Sequence, residues 1–343
     1  MALALPQLVR DYAEIDLTRM GVDSRITFTR ASTRTYFDAS GVLRTAAINE
    51  WPLEYDPATG VCLGRSTWLQ RSNLLTYSGI ETGVAGMLAS NVSNASIAWL
   101  GALSAGVSFG NNTVFRYAYR TNFSNQIGVV YTLSVFVRMD DGGVPVFGGT
   151  GPTNDACLVI GGQLVTSVTA SHVGGGIYRL SGSRSHTAAD TANGVIKYTS
   201  NSARGFKVSG YQLEAASTVS PYIPTTAAAI TRAADTASAP LSSLRHNASA
   251  GAILVEHAVP SGAPLISSGG GAVLTSQGAG KTAIRWNAGA SYVSHNGAAE
   301  VAGPALTWGA NLDIGALGTA RGNGTFKRFR VYPSARDAQR LSA

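Results

Sequence analysis

The sequence predicts an all-β chain built of jelly-roll and β-sandwich modules, with a short N-terminal arm and one short C-terminal helix. Three observations carry this expectation. Only 13% of the residues are charged, too few to coat the outer faces of soluble helices. Apolar residues recur with period two in short runs, not at helical spacing. The 40 Gly fall mostly between those runs, beside Asn, Asp, Ser and Pro, where turns need a positive or a preset φ.

With 343 residues the chain can hold two or three domains, each with its own core. Residues 1–24 carry Leu5, Leu8, Val9, Tyr12, Ile15 and Leu17 at partly helical spacing, interrupted by Pro6 and Gly21. Such a stretch cannot bury its apolar side alone, so it is expected to dock on a partner as an arm or to strap its own domain. Residues 25–75 form an opening β segment: Arg25 to Arg30 alternates, and the turns Asp38-Ala39-Ser40-Gly41 and Asp56-Pro57-Ala58-Thr59-Gly60 close hairpins. Over 76–226, about eight strands separated by Gly-, Asn- and Ser-rich intervals read as a jelly roll. The Ala-, Thr- and Ser-rich stretch 227–250 reads as a linker or crossing segment. Residues 251–343 resume strands and end in Ser334 to Leu341, where a capping Ser precedes good helix formers. This last module is short for a complete sandwich, so strands of the opening segment are expected to complete it, with the jelly roll inserted between.

The net charge of +7 is spread over single Arg and Lys residues with no run of four, whereas a nucleic-acid binder concentrates its cations on one element. Nucleic acid is therefore not an expected partner. An anionic surface polysaccharide remains compatible with a basic protein. Cys62 and Cys157 lie far apart and outside any metal-binding spacing, which favours two free thiols. No stretch has the length of a membrane span or the form of a secretory signal, so no membrane insertion is expected.

Three stretches carry a resemblance. The first runs from Arg25-Ile26-Thr27-Phe28-Thr29-Arg30-Ala31-Ser32 through Tyr36-Phe37-Asp38 to Gln70-Arg71-Ser72-Asn73-Leu74-Leu75. The second comprises Tyr131 to Val137, Gly210-Tyr211-Gln212-Leu213-Glu214, Ser220-Pro221-Tyr222-Ile223-Pro224 and Thr231-Arg232-Ala233-Ala234-Asp235. The third is Phe326 to Pro333 with the helix after it. Together they resemble multi-module bacteriophage tail and head-fibre or spike proteins, with an inserted carbohydrate-binding-module-like jelly roll and a concanavalin A- or laminin G-like C-terminal module. The resemblance implies a virion structural protein, made in the bacterial host cytoplasm. Its implied partners are other virion proteins through the N-terminal arm, further copies of itself with a trimer favoured, and host cell-surface polysaccharide. The alternative it leaves open is a polysaccharide-depolymerising tailspike.

No catalytic role and no cofactor is expected. Gly278-Ala279-Gly280-Lys281-Thr282 has Thr275 where a phosphate loop needs its first Gly, and it reads as strand. Gly106-Val107-Ser108-Phe109-Gly110 matches a nucleophile elbow in letters but leads into another strand. Asp140-Asp141 reads as a hairpin tip that could at most hold a calcium ion, and Glu214 as a strand residue without an evident partner. Sugar binding would rest on aromatic planes, which pack against the apolar face of a pyranose. The candidates are Trp99, Tyr117 and Tyr119 in the middle module and Trp286, Tyr292 and Trp308 in the last. Core packing is the competing use of each.

Overall fold

The computed structural model describes residues 11–79, 83–97, 101, 105–187 and 190–343. Their regular structure is almost entirely antiparallel sheet, closed by one short helix. All-β is what the low charge and the period of two require.

Two cores organise the sheets. The outer sandwich is assembled from both ends of the chain. Strand Gly324–Tyr332 pairs along one side with Ala250–Ala258, and along the other with Cys62–Thr67 and then Ala13–Asp16. The facing sheet runs Thr27–Thr29, Thr236–Pro240, Asn311–Ile314, Pro264–Ser268 and Gly271–Thr275. Ile15, Leu17 and Trp51 from the opening residues share this core with Ile253, Ile284, Phe329 and Val331 from the last module. Residues 13–17 therefore lie in the sheet with period two: Ala13, Ile15 and Leu17 face inward, while Glu14 meets Arg330 on the outer face at 2.7 Å. The helical spacing in this stretch yields to the hydrogen bonds that the Gly324–Tyr332 strand offers along its open side.

The stretch 227–250 is more than a connection. Ile230–Arg232 pairs with Arg71–Asn73, Thr236–Pro240 sits inside the facing sheet, and Leu241 and Leu244 are buried in a short 3₁₀ turn. Its small residues serve close layer packing, since Ala237 and Ala239 are fully buried. The closing helix spans Ala338–Ser342, and its cap is Asp337, whose carboxylate accepts from the Arg340 N–H at 3.1 Å, not Ser334. The Ala338 N–H donates to Glu300 at 2.8 Å, which fixes the helix start downstream of the serine. Ala338 and Leu341 then pack on Leu254 and Ala283, outside the sheet.

The inserted sandwich has a six-stranded sheet, Thr169–His172, Ile177–Ser185, Val130–Met139, Phe206–Glu214, Ala105–Phe109 and Ser93–Ser96. Against it lies a five-stranded sheet, Gln163–Val165, Cys157–Ile160, Asn193–Lys197, Arg116–Arg120 and Met87–Ser90. Leu133, Val135, Leu158, Val195, Val208 and Leu213 fill the space between them. The opposite face of the six-stranded sheet is also covered: Phe136 and Ile177 pack with Tyr222 and with Leu43 of the opening Arg34–Phe37/Leu43–Ala46 hairpin.

Where the chain leaves the outer sandwich and returns to it, charges are buried. Arg30, Arg34, Arg232 and Asp235 are each at most 2% exposed. Asp235 accepts from the Trp68 N–H at 2.9 Å and lies 3.4 Å from Arg30, 3.6 Å from Arg34 and 3.8 Å from Arg232. Arg34 also donates to Glu54 at 2.6 Å and to Ser66 at 2.6 Å, and Arg30 to the Ala47 carbonyl at 2.7 Å. Burial pulls the Arg232 guanidinium down to about 10, against the opposing pull of Asp235. Removing one partner of such a buried pair strands the others, a loss of roughly 3–5 kcal/mol. Asp235→Ala is thus expected to lower stability by about that amount in chemical denaturation, and a change under ~1 kcal/mol would show the cluster to be dispensable.

A buried histidine sets an acid limit. His257 is 4% exposed, with Nε2 bonded to Thr282 Oγ1 at 2.9 Å; Thr282 Oγ1 in turn meets His295 Nδ1 at 2.8 Å. Burial, and secondarily His295, hold its pKa down at about 4. The unfolded chain takes up this proton near the ordinary value of about 6.5, so it binds more protons than the folded chain between the two values. Stability should therefore fall as pH drops through that window. His257→Gln should flatten the fall, read as the difference between urea midpoints at about pH 7 and about pH 4.5.

Candidate functional site

The open face of the five-stranded sheet carries aromatic side chains, on the side of the sandwich away from the opening hairpin. Strand Arg116–Arg120 alternates: Ala118 and Arg120 turn inward, where Arg120 Nε donates to the Thr76 carbonyl at 2.9 Å. Tyr117 and Tyr119 turn outward, with ring centroids 5.0 Å apart and planes within 13°. Phe115 continues the row, 5.9 Å from Tyr117 and 5.7 Å from Tyr198. Phe115 is 39% and the facing-edge Leu88 50% exposed. Below the tyrosines lie buried Cys157, Val159 and Ile196. Register explains the assembly, since Tyr117 stands opposite Ile196 and Tyr119 opposite Leu88.

Burial raises the Tyr119 and Tyr198 phenols above their ordinary values. Both stay protonated near neutral pH and can donate as well as accept. Burial also pushes the Cys157 thiol up to about 11, and its Sγ donates to the Gly149 carbonyl at 3.1 Å. Both cysteines are free. The face presents flat apolar area edged by hydroxyls, a surface suited to stacking on a ring.

The other candidates go elsewhere. Trp286 is 3% exposed, donates from Nε1 to the Asn247 carbonyl at 3.0 Å, and lies so close over Gly251 that a Cβ there would fall 2.4 Å from its ring. Trp308, half-buried, sits 4.8 Å from Trp286 and 4.2 Å from His246 against the outer core. Tyr292 is exposed under the Arg285 guanidinium at 4.2 Å, and Glu300 accepts from Arg285 Nε at 2.7 and 2.9 Å. Trp99 lies outside the described residues. Of the six, the structure brings together Tyr117 with Tyr119, and Trp286 with Trp308. Phe115 and Tyr198 were not singled out from the sequence; Phe115 could have been, because it extends the odd-numbered alternation of Tyr117 and Tyr119.

The acids are occupied in ion pairs and hydrogen bonds. Asp141 is held at a pKa of about 2, chiefly by hydrogen bonds from Arg204 Nε at 2.7 Å and Nη2 at 3.0 Å. Asp140 pairs with Lys207 at 2.5 Å. Glu214 accepts from Ser220 N–H at 3.0 Å and from its hydroxyl at 2.5 Å. Ser108 lies within strand Ala105–Phe109, and Lys281 and Thr282 lie within strand Gly280–Asn287, so neither glycine motif opens a helix. Among the described residues, no group of three or more His, Cys, Asp or Glu is placed to share a metal ion. No protein-family description and no curated protein sequence matches the chain.

The tyrosines roof Cys157, which gives a direct check on their placement. In the native protein Cys157 should resist a thiol reagent at about pH 8, and Tyr119→Ala should speed its labelling by at least about tenfold. Equal labelling of the two proteins, followed by mass spectrometry of the Cys157 peptide, would remove the roof.

Proposed function

We propose that this chain is a structural subunit of a bacteriophage-type particle, a fibre or spike of head or tail, that contributes to host attachment by holding cell-surface polysaccharide. The particle assignment rests on the resemblance of the opening, middle and closing stretches to phage fibre proteins. The attachment reading rests on one observation: Phe115, Tyr117, Tyr119 and Tyr198 form a row on the open face of a sheet whose inner face is fully packed.

A sugar ring stacked there meets side chains already fixed by the strand register, so little rotamer entropy is lost on binding. The hydroxyls of Tyr117 and Tyr119 can serve the sugar's hydroxyls at the ring edge. A single face of this kind binds weakly, and self-association, with a trimer favoured, would multiply it through avidity. The net charge of +7 favours approach to anionic capsules. Anchoring to other virion proteins would fall to the arm of residues 1–24 outside Ala13–Asp16, which the sheet uses.

Tyr117→Ala and Tyr119→Ala should each weaken binding of the purified oligomer to host polysaccharide by about tenfold, equivalent to about 1.4 kcal/mol. A glycan array supplies the ligands and calorimetry the affinities. Unchanged affinity in both variants would sink the reading. Shortening of the polysaccharide during the incubation would show a depolymerase instead.

A further inference from the structure

A second surface lies on the other side of the inserted sandwich. At its seam with the opening hairpin there is an open cavity of about 350 Å³, and beside it another of about 600 Å³. Tyr36 and Tyr55 line both, so the two are halves of one cleft with a tyrosine ridge between them. Trp68, Phe37 and Tyr222 wall the first half, and Trp51 and Pro52 the second.

We infer that this cleft is a saccharide-binding site for glycans built of hexopyranoses, separate from the tyrosine face. It rests on the reading that the protein holds polysaccharide, and it names a second place where it is held. Cavities of this size at module junctions suit small ligands, for which the range is about 300–1,000 Å³. The polar groups are what select a sugar. Glu54 takes its hydrogen bonds from Arg34 and Ser66 on Oε1, leaving Oε2 without a partner among the described residues. Asp56 caps its turn through Oδ1, which accepts from the Ala58 and Thr59 N–H groups at 2.9 and 3.1 Å, and its Oδ2 likewise has no partner among the described residues.

Among the described residues the hydroxyls of Tyr36 and Tyr55 have no hydrogen-bond partner, and burial and then Glu50 keep the Tyr36 phenol protonated. Free carboxylate oxygens and phenols held between aromatic planes match a pyranose, which offers hydroxyls at its edge and C–H groups on its face. A lipid chain would leave the carboxylates unmet.

The walls of the cleft are fixed. Gly174, at φ +86°, abuts the Pro57 turn so closely that a Cβ would fall 2.4 Å from the Pro57 carbonyl oxygen. Only glycine lets the two loops close the cleft at this width.

The test titrates the full-length protein with hexose oligomers, by calorimetry and by the fluorescence of Trp51 and Trp68. The oligomers should bind. Tyr55→Ala should weaken this binding at least tenfold, and Tyr36→Phe with Tyr55→Phe, which remove only hydroxyls and preserve packing, should weaken it by a smaller factor. Tyr119→Ala should leave this component intact. If the Tyr36 and Tyr55 variants bind as the parent does while Tyr119→Ala loses binding, the cleft is refuted and the tyrosine face stands. Loss only with Tyr55→Ala supports the cleft and removes the tyrosine face. No saccharide binding at all refutes both sites.

Discussion

Asp235 is the residue on which the architecture turns. It arrives just after the inserted sandwich, and it meets Arg30 and Arg34 from before the insertion and Arg232 from its exit. Arg321 of the last module donates to the Asp235 carbonyl at 2.5 Å, so a fourth stretch joins the same point. Buried charge is costly unless it is paired and hydrogen-bonded. Only an arrangement that brings all of these stretches together sets the guanidinium groups against a carboxylate, and wrong pairings of the opening strands would leave them without one. The cluster thus specifies which strands meet more than it adds to net stability.

That junction determines what each face of the inserted sandwich can do. Its six-stranded sheet is docked on the opening hairpin through Phe136, Ile177 and Tyr222, which leaves the five-stranded sheet as the open one. The tyrosine row and the tyrosine cleft therefore sit on opposite sides of one module. Both are held by packed sheet, the row by its strand register and the cleft by the short turns that Asp38 and Asp56 close.

The all-β class was legible because period two and turn chemistry agree along the chain. The Asp38 turn forms as its letters require, with Oδ1 accepting from the Ser40 and Val42 N–H groups at 2.9 and 3.0 Å and Gly41 at φ +73°. Composition misleads where burial selects small residues: Ala237 and Ala239 look like a linker and are core. Isolated charges mislead too, since Arg30, Arg34 and Arg232 read as scattered surface cations until the fold places them around one carboxylate. At the candidate site the alternation of Phe115, Tyr117 and Tyr119 could be read, whereas Tyr198, which completes the row, is brought there by the pairing of distant strands, which no local pattern encodes. Trp286 shows the converse, an aromatic whose letters suit a ligand but whose ring is used by the core.

The outer core is divided in the chain: Ile15, Leu17 and Trp51 pack against Ile253, Phe329 and Val331. During synthesis the opening residues emerge long before the strands that cover them. Their apolar faces have no permanent partner until the last module leaves the ribosome, while the inserted sandwich, whose core is its own, can fold in the interval. An early-folding insertion then holds the two flanking stretches near one another and shortens the loop that must close. Seen this way, the insertion is also a scaffold for assembly of the sandwich around it, and a nascent chain stalled before residue 324 would expose an unpaired strand edge to its neighbours.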